Sequence, residues 1–160
     1  MILKPDYKAK TVFEVDFDEL KASGVTALVF DLDSTVMKSK SGVFSKEAMD
    51  LFENLKKDFL LLIASNNKNK EYIENVRKQV DFTVVGCANK PNPKIILAFL
   101  KDHGVNPENS AIVGDRPLTD ILAGKLAKMK TVLVDSISWF EEPGLTRFVK
   151  IGRASCRERV

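Results

Sequence analysis

Acidic residues gather where apolar runs of this chain end. Leu28-Val29-Phe30 leads into Asp31-Leu32-Asp33-Ser34-Thr35, which sets two carboxylates two positions apart. A carboxylate can attack phosphorus to give an acyl phosphate, and a second carboxyl can protonate the leaving oxygen and then activate water. The two roles need different pKa values. A bound divalent cation would keep Asp31 ionised, while Asp33, its side chain off the metal, would titrate nearer neutrality. The same five residues could also form a polar turn, with Asp and Thr side chains capping backbone amides.

Three more junctions bear on that choice. Leu60–Ala64 runs into Ser65-Asn66-Asn67, whose hydroxyl and amides could cradle a phosphate at a helix start or could cap the helix. Gly86–Lys94 carries Lys90 in a Pro-flanked loop, suited to neutralise a phosphoryl group, and Lys94 in a first helical turn, where a cation is mildly unfavourable. Ala111–Val113 leads to Gly114-Asp115-Arg116-Pro117-Leu118-Thr119-Asp120. There Asp115 is a hard oxygen ligand for magnesium, and Asp120 could hold a metal-bound water, orient Lys90 or cap the next helix.

The elements that must carry these groups alternate. Short β-branched runs at Thr26–Phe30, Phe59–Ala64, Phe82–Val85, Ala111–Val113 and Thr131–Val134 have the length of strands buried on both faces. Amphipathic segments lie between them: Lys46–Lys57 after a Ser45 cap, Lys70–Gln79, Pro93–His103 with Asn92 as cap, and Leu118–Lys128. Met1–Gly24 reads as an approach segment with a short helix at Phe17–Ala22. The alternation gives a doubly wound, Rossmann-like α/β domain, a five-stranded parallel sheet with helices on both faces. In such a sheet ligands sit beyond the carboxyl ends of the strands, where all four polar junctions fall.

Taken together, Asp31/Asp33/Thr35, Ser65, Lys90 and Asp115/Asp120 resemble the four motifs of the haloacid dehalogenase (HAD) phosphatase superfamily. Ser65-Asn66-Asn67, Lys90-Pro91, Gly114-Asp115 and Leu118-Thr119-Asp120, with Leu3-Lys4-Pro5 and Thr146-Arg147-Phe148, are similar to the YqeG-type group of subclass IIIA, itself similar to phosphatidylglycerophosphate phosphatases. Ser34, where that group usually has Asn, and Arg116, where Gln is common, depart from it. The resemblance implies a HAD-like fold and a phosphoric monoester hydrolase working through an aspartyl-phosphate intermediate. Asp31 would be the nucleophile and Asp33 the acid and base. Mg²⁺ would sit on Asp31, Asp115 and the Asp33 carbonyl, Ser65, Asn66 and Lys90 would hold the phosphate, and Thr35 and Asp120 would support them.

Spacing bears on substrate. The stretches from Thr35 to Ser65 and from Ser65 to Lys90 are each consumed by one helix and one strand, so no cap domain fits. An open site suits a large substrate such as a lipid head group, or else needs a neighbouring subunit to close over a sugar phosphate. A receiver-like phospho-Asp signalling module uses similar groups, but it carries its phosphorylated Asp on the third strand, which here ends without one.

Composition sets the remaining bounds. At 160 residues and 44% hydrophobic content the chain suits one domain, expected over residues 1–150. The final ten residues, Ile151 to Val160, lack periodicity and read like translated sequencing adapter, so 151–160 is expected to be a non-native tail. Arg153, Arg157 and Arg159 against Glu158 supply two of the three net positive charges, and a near-neutral domain without a basic block gives no expectation of nucleic acid. No apolar stretch approaches a membrane span and Met1–Lys10 is charged, which gives a cytoplasmic expectation. Ile2 and Leu3 beside Lys4, Lys8 and Lys10 leave room for a peripheral contact with the inner membrane face. The two cysteines form no C-x-x-C metal motif.

Overall fold

The computed structural model describes residues 3–137. Met1, Ile2, the Thr146-Arg147-Phe148 motif, the expected boundary at 150 and the tail 151–160 lie outside the described residues.

Six parallel strands form one sheet: β1 Tyr7–Ala9, β2 Ala27–Phe30, β3 Leu60–Ala64, β4 Thr83–Val85, β5 Ser110–Gly114 and β6 Lys130–Val134, in the order β1-β6-β5-β2-β3-β4. The expected five strands are all present, and the correction is the sixth, β1, on the edge beside β6. Three residues are too short for a periodicity signal. A side chain reinforces the backbone pairing of β1 with β6: Asp6 Oδ2 accepts from the Thr131 amide at 2.9 Å and the Thr131 hydroxyl at 3.1 Å. Lys125 adds an ion pair at 3.3 Å to the other Asp6 oxygen. Burial opposes ionisation of Asp6, but the Thr131 amide and Lys125 together hold its pKa below the ordinary value.

Five α-helices fall among the described residues: α1 Phe17–Ala22, α2 Lys46–Leu55, α3 Lys70–Arg77, α4 Lys94–Asp102 and α5 Leu122–Ala127. α1, α2 and α3 cover one face of the sheet, where Phe52 stacks edge-on against Phe30, Phe44 and Phe82 with centroids 6.1, 5.2 and 5.1 Å away. α4 and α5 cover the other face, over Ala27, Val29, Leu62, Ala64 and Ile112. The Cβ-less Gly124 lets α5 approach closely, since a side chain there would strike Ile112 and Thr131.

Some helix starts differ from expectation. Asn69 caps α3 by accepting from the Tyr72 amide at 3.0 Å, so neither Ser65 nor Asn67 does. The expected helix Leu118–Lys128 is split, with a π-helical turn at Pro117–Ile121 preceding α5. Such turns occur often at functional sites. No helix among the described residues is long and apolar enough to cross a membrane. No cap domain interrupts the core: Val36 to Ala64 is filled by a loop, α2 and β3, and Asn67 to Lys90 by α3, β4 and a short loop.

Candidate active site

The chain leaves β2, runs outward through β3 to β4, and returns to β5 on the other side of β2, so the strand order reverses at β2. Four segments converge beyond the strand ends there. Asp31 follows β2 directly, and its amide donates to Val113 O at 3.0 Å, which continues the β2–β5 ladder by one residue. Ser34 comes next at φ 72°, a left-handed conformation that Asn tolerates better than Ser, and its amide donates to Met37 O at 2.8 Å to close the turn.

Lys90 arrives from the far side of the sheet. The Ala88 amide donates to Ser65 O at 2.9 Å, and the Asn66 side chain brackets the Lys90 backbone. Asn66 Oδ1 accepts from Lys90 N and its Nδ2 donates to Lys90 O, both at 2.8 Å. Asn66, expected on the phosphate, is therefore seen bracing the loop that carries Lys90. So placed, Lys90 Nζ donates to Asp31 Oδ1 at 2.9 Å and to Asp120 Oδ1 at 2.7 Å. The Lys90 and Asp120 side chains are 2% and 0% exposed, so this bridge is out of reach of solvent screening.

Asp120 rides the π-helical turn, and its Oδ2 accepts from the Arg116 amide at 3.2 Å. Gly114 is required beside it, because a Cβ at 114 would collide with the Asp120 carboxyl. The buried Thr35 hydroxyl lies between Asp115 Oδ1 at 3.2 Å and Asp31 Oδ2 at 3.5 Å, tying the β2 and β5 exits together.

The charges are shared unequally. Burial works against the Lys90 ammonium, but Asp120 and Asp31 outweigh it and raise its pKa, so it stays protonated. Burial also opposes ionisation of Asp31, yet the attraction of Lys90 holds its carboxyl below the usual range, with Arg116 contributing. Burial and the Asp31 charge push Asp120 up to about 6. Carboxylate oxygens of Asp31, Asp115 and Asp120 all come within 4.8 Å of one another. Three hard oxygen donors against one ammonium fit a small divalent cation. Asp120 joins this cluster, while the Asp33 carboxyl lies outside it.

Asp33 has different neighbours. Its Oδ1 accepts from the Tyr72 hydroxyl at 2.7 Å and from the Lys40 amide at 2.9 Å. Burial first, then the Asp33 carboxyl, raises the Tyr72 pKa, so the phenol remains a donor. Nothing in the sequence marked Tyr72, 39 positions away from Asp33. Ser65 Oγ accepts from the Asn67 amide at 3.0 Å at the start of its loop. Lys94 is exposed on α4 and takes no part in these contacts.

Residues 87–136 match the HAD-hydrolase-like family model. Over 144 residues the chain is 24% identical to Probable phosphatase YqeG of Bacillus subtilis, covering 90% of this chain and 83% of that one. It is 26% identical over 155 residues to Phosphatidylglycerophosphate phosphatase 1, chloroplastic/mitochondrial, of Arabidopsis thaliana, covering 91% of this chain and 44% of that one. These matches make the chain similar to phosphatases of the haloacid dehalogenase superfamily. A HAD family enzyme of Bacteroides thetaiotaomicron, solved in complex with magnesium and inorganic phosphate, shares the fold with TM-score 0.55 at 14% identity, over 78% of this chain and 100% of that one. The likenesses mark the protein as a hydrolase of the phosphatase type, and its expected motif residues all lie at one end of one sheet.

Proposed function

We propose that the protein hydrolyses phosphomonoesters through a phosphorylated Asp31, and that its substrate is a lipid phosphate of the phosphatidylglycerophosphate kind, met at the inner membrane surface. The observation that carries the chemistry is the Lys90 bridge, which keeps Asp31 ionised and aimed while leaving a carboxylate cluster beside it.

In the first step an Asp31 oxygen forms a bond to phosphorus as the bond to the leaving oxygen breaks, and Asp33 gives that oxygen its proton. In the second step Asp33, now ionised, takes a proton from water as the water oxygen bonds to phosphorus. The bond to Asp31 then breaks and phosphate leaves. Lys90 and the Ser65 hydroxyl hold the transferring group, and Thr35 fixes Asp31 against Asp115. Asp31, Asp115 and, as the family resemblance implies, the Asp33 carbonyl would hold Mg²⁺, with Asp120 beside the two carboxylates, and the ion would supply charge neutralisation at the phosphoryl group.

The lipid assignment rests on the likeness to the Arabidopsis phosphatase and on the lack of a cap among the described residues, since an uncovered site does not select a metabolite by enclosing it. A phosphate-release screen with Mg²⁺ tests it across phosphatidylglycerophosphate vesicles, sugar phosphates, nucleotides and phosphopeptides. Vesicles should be turned over at least tenfold faster. Equal or faster release from soluble sugar phosphates overturns the lipid reading in favour of a small-molecule phosphatase closed by oligomerisation. Stable phosphorylation of Asp31 without release from any substrate would point to a receiver-like module.

A further inference from the structure

α3, which follows Ser65-Asn66-Asn67, turns a row of polar side chains toward the segment from Asp33 to Phe44. Tyr72, Asn75 and Gln79 lie three and four positions apart along α3 and its C-terminal extension, so they share one face. All three reach the loop that follows Asp33. Asn75 Nδ2 and Gln79 Nε2 donate to Gly42 O at 2.9 and 2.7 Å, and Gln79 Oε1 accepts from the Phe44 amide at 3.1 Å. Gly42, at φ 71°, takes a left-handed conformation that favours glycine, and a Cβ there would be in contact with the Tyr72 ring and Asn75 Nδ2. Tyr72 completes the row, donating to Asp33 Oδ1 at 2.7 Å and lying 3.5 Å from Met37 Sδ.

We propose that Tyr72 is a positioning residue for the proton-transferring Asp33, with α3 as its rigid mount, an assignment that rests on the reading of Asp33 as acid and base. Two donors, Tyr72 Oη and Lys40 N, address the same oxygen. Two hydrogen bonds on one oxygen restrain the rotation of the carboxyl, and with it the direction from which Asp33 meets the leaving oxygen in the proposed first step. α3 also starts just beyond Ser65-Asn66-Asn67, so one helix links the groups that hold the phosphate to the group that protonates its leaving oxygen.

The test separates positioning from support by changing the leaving group. An alkyl phosphate needs its leaving oxygen protonated, whereas nitrophenolate departs unaided. Tyr72→Phe keeps the ring and loses the donor. It should lower kcat/KM for an alkyl phosphate by about tenfold and for p-nitrophenyl phosphate by less than about twofold, with Tm little changed. Asp33→Asn, measured alongside, should show the same asymmetry and a larger loss. An equal loss on both substrates in Tyr72→Phe, with the asymmetry kept in Asp33→Asn, overturns the positioning role alone. No asymmetry in Asp33→Asn overturns the acid assignment and the positioning role with it. Should Tyr72→Phe lose its fold, Gln79→Ala, which frees the loop without touching Asp33, carries the same test: a smaller loss confined to the alkyl phosphate is expected, and an equal loss contradicts the proposal.

Discussion

Around Asp31 the partners are charged, with the buried Lys90 ammonium at 2.9 Å, the buried Asp120 sharing it, and the part-buried Asp115 linked through Thr35. Around Asp33, two residues on and likewise part-buried, one carboxylate oxygen accepts from the neutral Tyr72 hydroxyl and the Lys40 amide. A carboxylate beside a fixed, buried cation stays ionised and can act as a nucleophile, while in the proposed mechanism the carboxyl held by Tyr72 and the Lys40 amide transfers the proton. The two proposed roles of one residue type are thus separated by their surroundings over a very short length of chain.

That contrast can be broken most forcefully at Lys90. Lys90→Ala would leave Asp31 and Asp120 buried without their shared cation, at a cost of about 3–5 kcal/mol in metal-free protein, read by chemical denaturation in EDTA. Asp33→Asn should cost far less stability, because an amide oxygen still accepts from Tyr72. Equal losses would show that the two regions are built alike. In native protein Mg²⁺ should raise Tm, since the carboxylate cluster outnumbers its ammonium.

Arg116 sharpens the charged side. It is part-buried, adjoins Asp115, and among the described residues its guanidinium has no hydrogen bond or ion pair. Arg116→Gln should raise KM about tenfold for a substrate bearing a phosphodiester next to the phosphomonoester, and little for a simple alkyl phosphate. Equal KM shifts on both would remove Arg116 from substrate recognition.

The smallest effect is a control at the sheet edge, where Asp6 is also tied by a lysine but outside the site. Its pKa is lowered on folding, so its contribution is present above the ordinary value of 3.8 and is lost as pH falls through the lowered one. Asp6→Asn should reduce Tm slightly at pH 7, and the gap should close below about pH 4 without changing phosphate release.

Most of this arrangement is legible in the sequence because parallel strands buried on both faces leave unbroken apolar runs, and four of those runs lead into the polar segments that carry Asp31, Ser65, Lys90 and Asp115. β2 through β6 appear within a residue or two of Thr26–Phe30, Phe59–Ala64, Phe82–Val85, Ala111–Val113 and Thr131–Val134. β1 is not legible, since three edge residues leave no period. The π-helical turn is hidden because Pro117–Ile121 continues the helical spacing of α5. Asn66 bracing Lys90 and Tyr72 holding Asp33 are long-range contacts that depend on how helices and loops pack, and no local pattern encodes them. The Gly114 requirement had a local signal, a glycine directly before an acidic residue at a strand end, that becomes specific only once Asp120 is known to lie against it.

The central claim is that Asp31 becomes phosphorylated. Wild-type protein turning over substrate with Mg²⁺, quenched in acid and reduced with borohydride, should yield homoserine at position 31 in its peptide mass spectrum, because reduction cleaves an aspartyl phosphate at the acyl carbon. Asp31→Asn should give none and release phosphate on the order of 10⁴-fold more slowly. Homoserine at another aspartate, or undiminished phosphate release from Asp31→Asn, would contradict the account.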